Sequence, residues 1–355
     1  MKRWLNEIEF HLKVESFWMR GGRIILRLGE IHQLLCTISV KLHFKETQSM
    51  DLHIWGPLGK LRSFSPECLA AVWYATLVVD EPVTIYQSSN PLISPNGQLP
   101  ALRHNGKTYG GFESIVGYFK SLGYDVDSNL NSVQKANSSA LINYIASNVS
   151  GLSLYMLYVN RDNFESVIRP LFTTLVPFPM QYNLPIRQRD WAKKQCESSG
   201  LILAAAKVKV DVKKIDPVLS RTQELINEKK DQKDLLFSDA KENMRVLHRA
   251  KTLYDVLMAS SLLTGDQHHT PYLISPDSVS TADLLLVAHL TVQSYSQFPV
   301  PVLKTLLEGH YLRLNQYKED LYKKLEDLVE PISPTRPEDV YSLTNVGKWY
   351  LGWGN

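Results

Sequence analysis

Residues 51–87 read DLHIWGPLGKLRSFSPECLAAVWYATLVVDEPVTIYQ, and this stretch decides the fold. The run at 52–55 predicts a short strand that ends at a Gly-Pro pair. Ser65 predicts a helix start, since serine caps free N–H groups and the proline and glutamate that follow suit a first turn. Apolar residues then recur at helical spacing as far as Pro82, and the run at 83–86 predicts a second strand. Two strands joined by a helix are expected to be parallel.

The next segment predicts the rest of a small sheet. Residues 88–98 form a loop rich in turn residues, and residues 99–104 predict a strand. Asn105-Gly106 is a strong hairpin signal, because a type I′ turn needs two positive φ angles. Residues 107–109 supply the return strand. A helix is then expected from Phe112, with Gly123 as its stop.

After Asp127, helical periodicity replaces the strand pattern. The predicted helices are Val133–Val149, Asn163–Thr173, Ile186–Lys207, Asp216–Asn227, Asp239–Leu263, Thr281–Tyr295 and Val302–Val329. The mixed charges at 228–234 indicate a solvated connection between helices. Ser280 and Asp283 have the spacing of a capping box, in which each side chain accepts an N–H of the other residue.

Composition narrows the classes of function. The 355 residues include 39 Lys or Arg and 36 Asp or Glu, a net charge of +3, so a dedicated nucleic-acid surface is not expected. Cys36, Cys68 and Cys196 are far apart and form no disulfide framework, which favours a reducing compartment. The chain lacks an apolar run of about 20 residues, so we expect any membrane role to be peripheral.

The same signals predict the domain organisation. We expect a thioredoxin-like domain at 50–125, a helical domain at 126–330 and a tail at 331–355. Residues 1–49 show no clear period and contain several glutamates, which is unlike a mitochondrial presequence. We interpret them as a poorly ordered extension, or as residues upstream of a true start at Met50.

Several motifs resemble those of known families. The strand that begins Leu99-Pro100, where a thioredoxin-like fold places a cis proline, and Glu113-Ser114 after the hairpin resemble the glutathione-transferase fold. The helical half and its capping box fit the same fold. More closely, residues 50–329 resemble the metaxin family, and within it the larger, fungal-type subunit of the mitochondrial sorting and assembly machinery. The residues that carry this resemblance are Leu52–Pro57, Ser65–Ala71, Ser88–Pro91, Ser94–Leu102 and Leu171–Leu184 with Pro177-Phe178-Pro179.

The resemblance implies a non-enzymatic subunit on the cytosolic face of the mitochondrial outer membrane, which supports the insertion of β-barrel precursors and protein import. The partners it implies are a barrel-forming core subunit, a sister metaxin-like subunit and the precursors themselves, without a cofactor. One alternative is a cytosolic glutathione-dependent transferase. Another is an interaction module of the same fold in a different assembly.

Glutathione transfer needs a hydroxyl or thiol that stabilises a thiolate. The candidates after the first strand are Ser63, Ser65 and Cys68. Ser65 is better explained as a helix cap, and Cys68 as a small buried side chain rather than a thiol activated by the helix dipole.

The resemblance also marks Pro100, Glu113 and Ser114 as a vestigial glutathione-like groove. For Pro100 the alternative is that it only serves the fold, and for Ser114 that it caps a helix.

Two further features of the sequence bear on function. His268-His269 has no third ligand at useful spacing, so no metal site is predicted. Three aromatic residues come shortly after Lys348: Trp349, Tyr350 and Trp353. Tryptophan and tyrosine side chains favour a membrane–water interface. We expect this end of the chain to contact a membrane or a partner, with packing onto the helical domain as the alternative.

Overall fold

The structure, a computed structural model, describes residues 50–80, 82–203, 220–260, 272–329 and 331–351, with only the backbone of 220–236 and of Ser260. The predictions for residues 1–49, His268, His269 and Trp353 fall outside these ranges.

Four short strands form one mixed sheet in the order β2-β1-β3-β4. Their bounds are Met50–Ile54 (β1), Val83–Gln87 (β2), Ala101–His104 (β3) and Lys107–Gly110 (β4). Strand β1 pairs in parallel with β2 and antiparallel with β3, so that Leu52 lies between Ile85 and Leu102. The β3–β4 hairpin turns at Asn105 and Gly106, whose φ angles of 52° and 71° confirm the predicted turn.

Two helices complete this half of the molecule: Pro66–Val78 (α1) and Phe112–Ser121 (α2). Helix α1 buries Leu69 and Trp73 of its predicted face and also Tyr74. It is enclosed because strand β2 of the sheet packs on one side of it and the helix Thr281–Gln293 of the second half packs on another. The β-α-β-β-β-α order confirms the thioredoxin-like part of the predicted fold.

The second half is helical, as predicted. Its α-helices are Ser132–Tyr144 (α3), Ser150–Leu154 (α4), Arg161–Asn163 (α5), Arg169–Leu175 (α6), Met180–Ser198 (α7), Ser220–Ser260 (α8), Thr281–Gln293 (α9), Val302–His310 (α10), Leu312–Glu326 (α11) and Leu343–Tyr350 (α12). Wider, π-helical turns link α3 to α6 at Ile145–Val149, Tyr155–Val159 and Phe164–Ile168.

The structure corrects several of the predicted helical boundaries. The helix predicted at 186–207 runs from Met180 to Ser198 and is followed by Gly200, whose φ of 69° does not continue a helix. The charged segment 228–234 lies inside the continuous helix α8, since Glu, Lys, Gln and mixed charges four residues apart favour a helix. The predicted helix 302–329 is interrupted at Tyr311, which has φ −120° and ψ 52°. The hydroxyl of Tyr311 donates to Asp255 Oδ1 at 2.6 Å, and this contact with α8 holds the break.

Helix α9 is buried along its whole length and packs against α1 and α11. The predicted capping box is present at its start: Ser280 N–H donates to Asp283 Oδ2 at 2.8 Å, and Asp283 N–H donates to Ser280 Oγ at 3.3 Å. Tyr317 donates to the other carboxylate oxygen at 2.7 Å. Burial raises the pKa of Asp283, although these hydrogen bonds favour its charged form.

Asp127 joins the two halves. Its carboxylate accepts hydrogen bonds from the N–H and the hydroxyl of Thr281, at 2.9 and 2.7 Å, and lies 2.8 Å from Lys120 Nζ on α2. Asp127 is buried, so the start of α9 is tied to α2 through an enclosed carboxylate. The domain boundary at residue 125 stays a prediction.

Residues 331–342, here called the C-terminal strap, lie along the free edge of β2. Ser333 N–H donates to Ile85 O at 2.8 Å and its carbonyl accepts from Gln87 N–H at 3.4 Å, which adds a short parallel pairing. The guanidinium of Arg336 lies 3.5 Å from the centre of the Tyr86 ring. The strap therefore continues the sheet beyond β2 and leads into α12.

Candidate functional site

Two adjoining cavities of about 480 and 290 Å³, here called the groove, lie between the start of α1 and the helical half. Glu67, Asn96, Ala146 and His289 line both cavities. Leu99 lines the larger one, and its bond to Pro100 is cis, as the resemblance implied. Of the residues that the resemblance marked, Glu113 and Ser114 line the smaller cavity, and Pro100 lines neither.

Ser65 does not cap α1 in the predicted way. It occupies the N-cap position with an extended backbone (φ −90°, ψ 125°), but its side chain makes no capping hydrogen bond. Its hydroxyl lies beside the thiol of Cys68, whose pKa it lowers against the larger effect of burial.

Cys68 is fully buried, and burial raises the pKa of its thiol to about 12. The N–H of Trp55 also points at its sulfur, at 3.5 Å. A thiol with this pKa remains protonated at neutral pH, which agrees with the prediction of a small buried side chain.

Glu67 brings an acidic group into the groove, which the sequence interpretation treated only as a helix-start residue. Burial raises the pKa of its carboxyl, and the nearby charge of Glu113 raises it further, against a hydrogen bond from the backbone of Phe112. An anionic ligand that approached the start of α1 would meet this carboxyl group.

Glu113 and Ser114 are exposed at the mouth of the smaller cavity. Gly111, with φ 81°, occupies the N-cap position of α2, so the alternative that Ser114 caps this helix is wrong. Glu113 and Ser114 therefore border the groove, whereas Pro100 lines neither cavity and only its neighbour Leu99 does. The role of these residues as a vestigial binding site stays a prediction.

His289 reaches both cavities from the buried helix α9. The sequence alone did not single it out. A single histidine four residues before Gln293, in a helix that is otherwise apolar over 284–292 apart from Thr291, was the available signal. That signal did not show which cavity the side chain would face.

The C-terminal helix α12 presents aromatic side chains to solvent. Trp349 is 46% and Tyr350 69% exposed. Trp349 and Lys348 also line an open surface depression of about 730 Å³ together with Arg103 and Lys107. The exposure of both rings suits the predicted membrane or partner contact better than full packing onto the helical half.

A second exposed apolar surface lies at the start of α7. Phe178, Tyr182 and Ile186 are spaced four residues apart and are 77%, 56% and 55% exposed. The rings of Phe178 and Tyr182 meet edge to face with centroids 6.3 Å apart. We call these three residues the α7 stripe.

Within the described ranges, His, Cys, Asp and Glu side chains form no cluster of three or more that could hold a metal ion. In the same part of the chain, helices that combine the length and the apolar character needed to cross a bilayer are absent.

Comparison with known proteins identifies similar families. Residues 68–189 match the family Tom37, described as an outer mitochondrial membrane transport complex protein, and residues 205–345 match the Tom37 C-terminal domain. The chain is 29% identical to mouse Metaxin-1 over 147 residues, 41% of this chain and 46% of that protein. It is 31% identical to the Drosophila melanogaster Metaxin-1 homolog over 125 residues, 35% of this chain and 38% of that protein.

The chain therefore spans less than half the length of these curated relatives. Among solved structures, it is similar to glutathione transferase GSTFuA3 from Phanerochaete chrysosporium (12% identity, TM-score 0.45, 81% of this chain and 100% of that chain). It is also similar to human glutathione-S-transferase T1-1 (13% identity, TM-score 0.40, 86% of this chain and 100% of that chain).

Proposed function

Because the chain belongs to the metaxin-like family of outer mitochondrial membrane transport complex proteins, we propose that it is a non-enzymatic subunit of the sorting and assembly machinery. It acts on the cytosolic face and supports the insertion of β-barrel precursors. Its partners are the barrel-forming core subunit, a sister metaxin-like subunit and the precursors. The observation that carries this proposal is the family match in both halves of the molecule, at 68–189 and at 205–345.

The chemistry of the groove supports a role without catalysis. The thiol of Cys68 is buried and protonated, and the hydroxyl of Ser65 has a thiol rather than a base beside it. A transferase site must stabilise a thiolate, but here the carboxyl group of Glu67 lines the cavity. These features favour a protein that binds partners through its surface over one that catalyses a reaction.

Two surfaces suit such work. The α7 stripe offers exposed apolar side chains of the kind found at the centres of protein interfaces. The exposed Trp349 and Tyr350, next to Lys348, suit a peripheral contact with the membrane surface or with a partner embedded in it.

The direct test is purification of the full chain, tagged, from mitochondria in mild detergent. We expect the barrel-forming core subunit and a metaxin-like protein to copurify, and alkaline extraction to release the chain from membranes. Recovery in the cytosolic fraction, or copurification with a different assembly and no barrel-forming protein, would contradict the proposal.

A glutathione-dependent transferase is the second candidate, because Glu113 and Ser114 line a cavity that adjoins the one lined by Leu99. Retention on immobilised glutathione, with transferase activity that Ser65→Ala abolishes, would favour it. The acidic lining and the protonated thiol predict that neither is observed.

A further inference from the structure

We propose that the groove binds an uncharged molecule with a carbonyl group next to an apolar ring or short chain, and that His289 donates a hydrogen bond to that carbonyl. This site goes beyond the proposed scaffold function and does not depend on it. The inference rests on the orientation of His289, on the charge of the lining and on the walls of the larger cavity.

A chain of buried hydrogen bonds orients His289. Tyr254 donates its hydroxyl proton to Gln293 Oε1 at 2.6 Å, which fixes the amide of Gln293. Gln293 Nε2 then donates to Val149 O at 3.1 Å and to Ser153 Oγ at 2.9 Å. Ser153 Oγ in turn lies 2.8 Å from His289 Nδ1.

This chain assigns the tautomer of the imidazole. Ser153 already accepts a proton from Gln293, and the one contact left for its own proton is His289 Nδ1. Nδ1 is therefore the acceptor, and Nε2 carries the hydrogen. His289 is 3% exposed, and within the described ranges no side chain or backbone group partners its Nε2, while the residue lines both cavities.

The Nε2–H group of His289 opens into the cavity, where a carbonyl oxygen can replace water as its acceptor. Burial lowers the pKa of His289 to about 3, so the ring stays neutral near pH 7 and offers a hydrogen bond rather than a charge. The same low basicity argues against a role for the Ser153–His289 pair as nucleophile and general base.

The charge of the lining selects against anions. The residues that line the two cavities include no lysine or arginine that could pair with an anion. Glu113 adds an acidic group at the mouth, whereas burial raises the pKa of Glu67 and favours its neutral form. A carboxylate that entered would lose its hydration without gaining a counter-charge. An amide or ester carbonyl accepts the same hydrogen bond at a smaller desolvation cost.

The walls of the larger cavity supply apolar contact. Trp55, Tyr158 and Trp191 lie around it with Leu154 and Leu157, and serine hydroxyls and amides complete the lining. Its volume of about 480 Å³ lies within the range of small-molecule sites. This combination fits a neutral molecule that carries one ring or a short apolar chain beside its carbonyl.

A matched pair of probes tests the assignment. N-acetyl-L-phenylalaninamide is uncharged, and N-acetyl-L-phenylalanine is the same molecule with a carboxylate. We expect calorimetric titration of the full chain at pH 7 to show the amide binding about tenfold more tightly than the acid. Equal affinity, tighter binding of the acid, or no heat from either probe up to its solubility limit would overturn the proposal.

Variants of His289 test the donor. His289→Leu suits the apolar helix but removes the N–H, and we expect it to weaken the amide probe by about tenfold. His289→Gln restores an N–H donor and is expected to recover most of the affinity. Unchanged binding by His289→Leu would overturn the assignment.

If His289→Leu does not fold, as judged by circular dichroism, Ser150→Trp fills the larger cavity from its half-buried rim and is expected to abolish binding of the amide probe. Binding that survives in Ser150→Trp would place the probe elsewhere and overturn the proposal. Copurification of the barrel-forming subunit, measured on the same variants, reports on the scaffold function separately.

Discussion

At the scale of single residues, the contact between the strap and β1 is the most unusual. His53 Nδ1 and Asp339 Oδ1 lie 3.4 Å apart, both side chains are fully buried, and neither makes a hydrogen bond. Burial, with Arg103 and Arg336 nearby, lowers the pKa of His53 to about 3. Burial raises the pKa of Asp339 to about 6. At neutral pH the imidazole is therefore uncharged, and the contact is not an ion pair.

These shifts predict how stability depends on pH. The unfolded chain protonates His53 and His289 near 6.5 but the folded chain only near 3, so acidification below 6.5 lowers stability. Asp339 acts in the opposite direction, because the folded chain takes up its proton near pH 6 and the unfolded chain near 3.8. We expect Asp339→Asn to be relatively more stable near pH 7 and to lose more stability than the wild type on acidification.

Urea unfolding at pH 7 and pH 4.5 measures this difference directly. A constant offset between Asp339→Asn and the wild type at the two pH values would contradict the assigned shift. His310→Asn is a suitable control, because His310 is an exposed histidine at the end of α10.

Asp127 leads to a second prediction at this scale. Asp127→Ala leaves the N–H and hydroxyl of Thr281 and the amine of Lys120 without their buried acceptor. We expect a loss of about 2–4 kcal/mol in the free energy of unfolding. Asp125→Ala, which removes a half-buried partner of Lys120 and a local cap, should cost about 1 kcal/mol.

Chemical denaturation followed by circular dichroism measures both variants. If Asp127→Ala costs no more than Asp125→Ala, Asp127 does not act as the joint between the two halves.

At the scale of elements, local signals were sufficient where one short motif fixes the backbone. Asn105-Gly106 fixed the hairpin, and the Ser280–Asp283 box fixed the start of α9. The signals failed where distant contacts decide. Tyr311 breaks a helix because α8 offers it an acceptor. The segment 228–234 is a different case, because its mixed charges fit a helix as well as a solvated connection, and helix α8 continues through it.

The candidate site shows the same division. The sequence marked Pro100 and Glu113 through a resemblance, but it did not show that Glu67 and His289 line the same cavity as Glu113. The groove brings together the start of α1 and the middle of α9, which lie more than two hundred residues apart in the chain. Patterns within a short stretch of sequence cannot show that two such distant segments meet.

The exposed aromatic side chains of helix α12 predict a contact with the membrane surface. We expect the double variant Trp349→Ala/Tyr350→Ala to float with anionic phospholipid vesicles several-fold less than the wild type, because these exposed rings favour the interface. Leu312→Ala, at a residue that is 66% exposed on α11, is the matched control and should float unchanged. Equal flotation of the double variant and the wild type would remove the membrane contact.

At the scale of the whole molecule, the two halves share one compact unit and leave the α7 stripe on the outside. If the chain acts as a scaffold, this surface is a place where charge would disturb docking but not folding. We expect Tyr182→Asp/Ile186→Asp to reduce copurification of the barrel-forming subunit at least several-fold, with an unchanged melting temperature.

Val133→Asp is the control for this variant, since Val133 is an apolar residue 66% exposed on α3. It should leave copurification as in the wild type. Full recovery of the barrel-forming subunit with the double variant would show that docking uses another face.

The strap also limits the pairing of this small sheet with other extended chains. An open edge of a sheet recruits any extended chain that presents free amides and carbonyls. Ser333 occupies that edge along β2, and the opposite border, β4, is four residues long and begins with Lys107. If the chain works beside unfolded β-barrel precursors, as proposed, these two edges offer little backbone for a precursor strand to pair with.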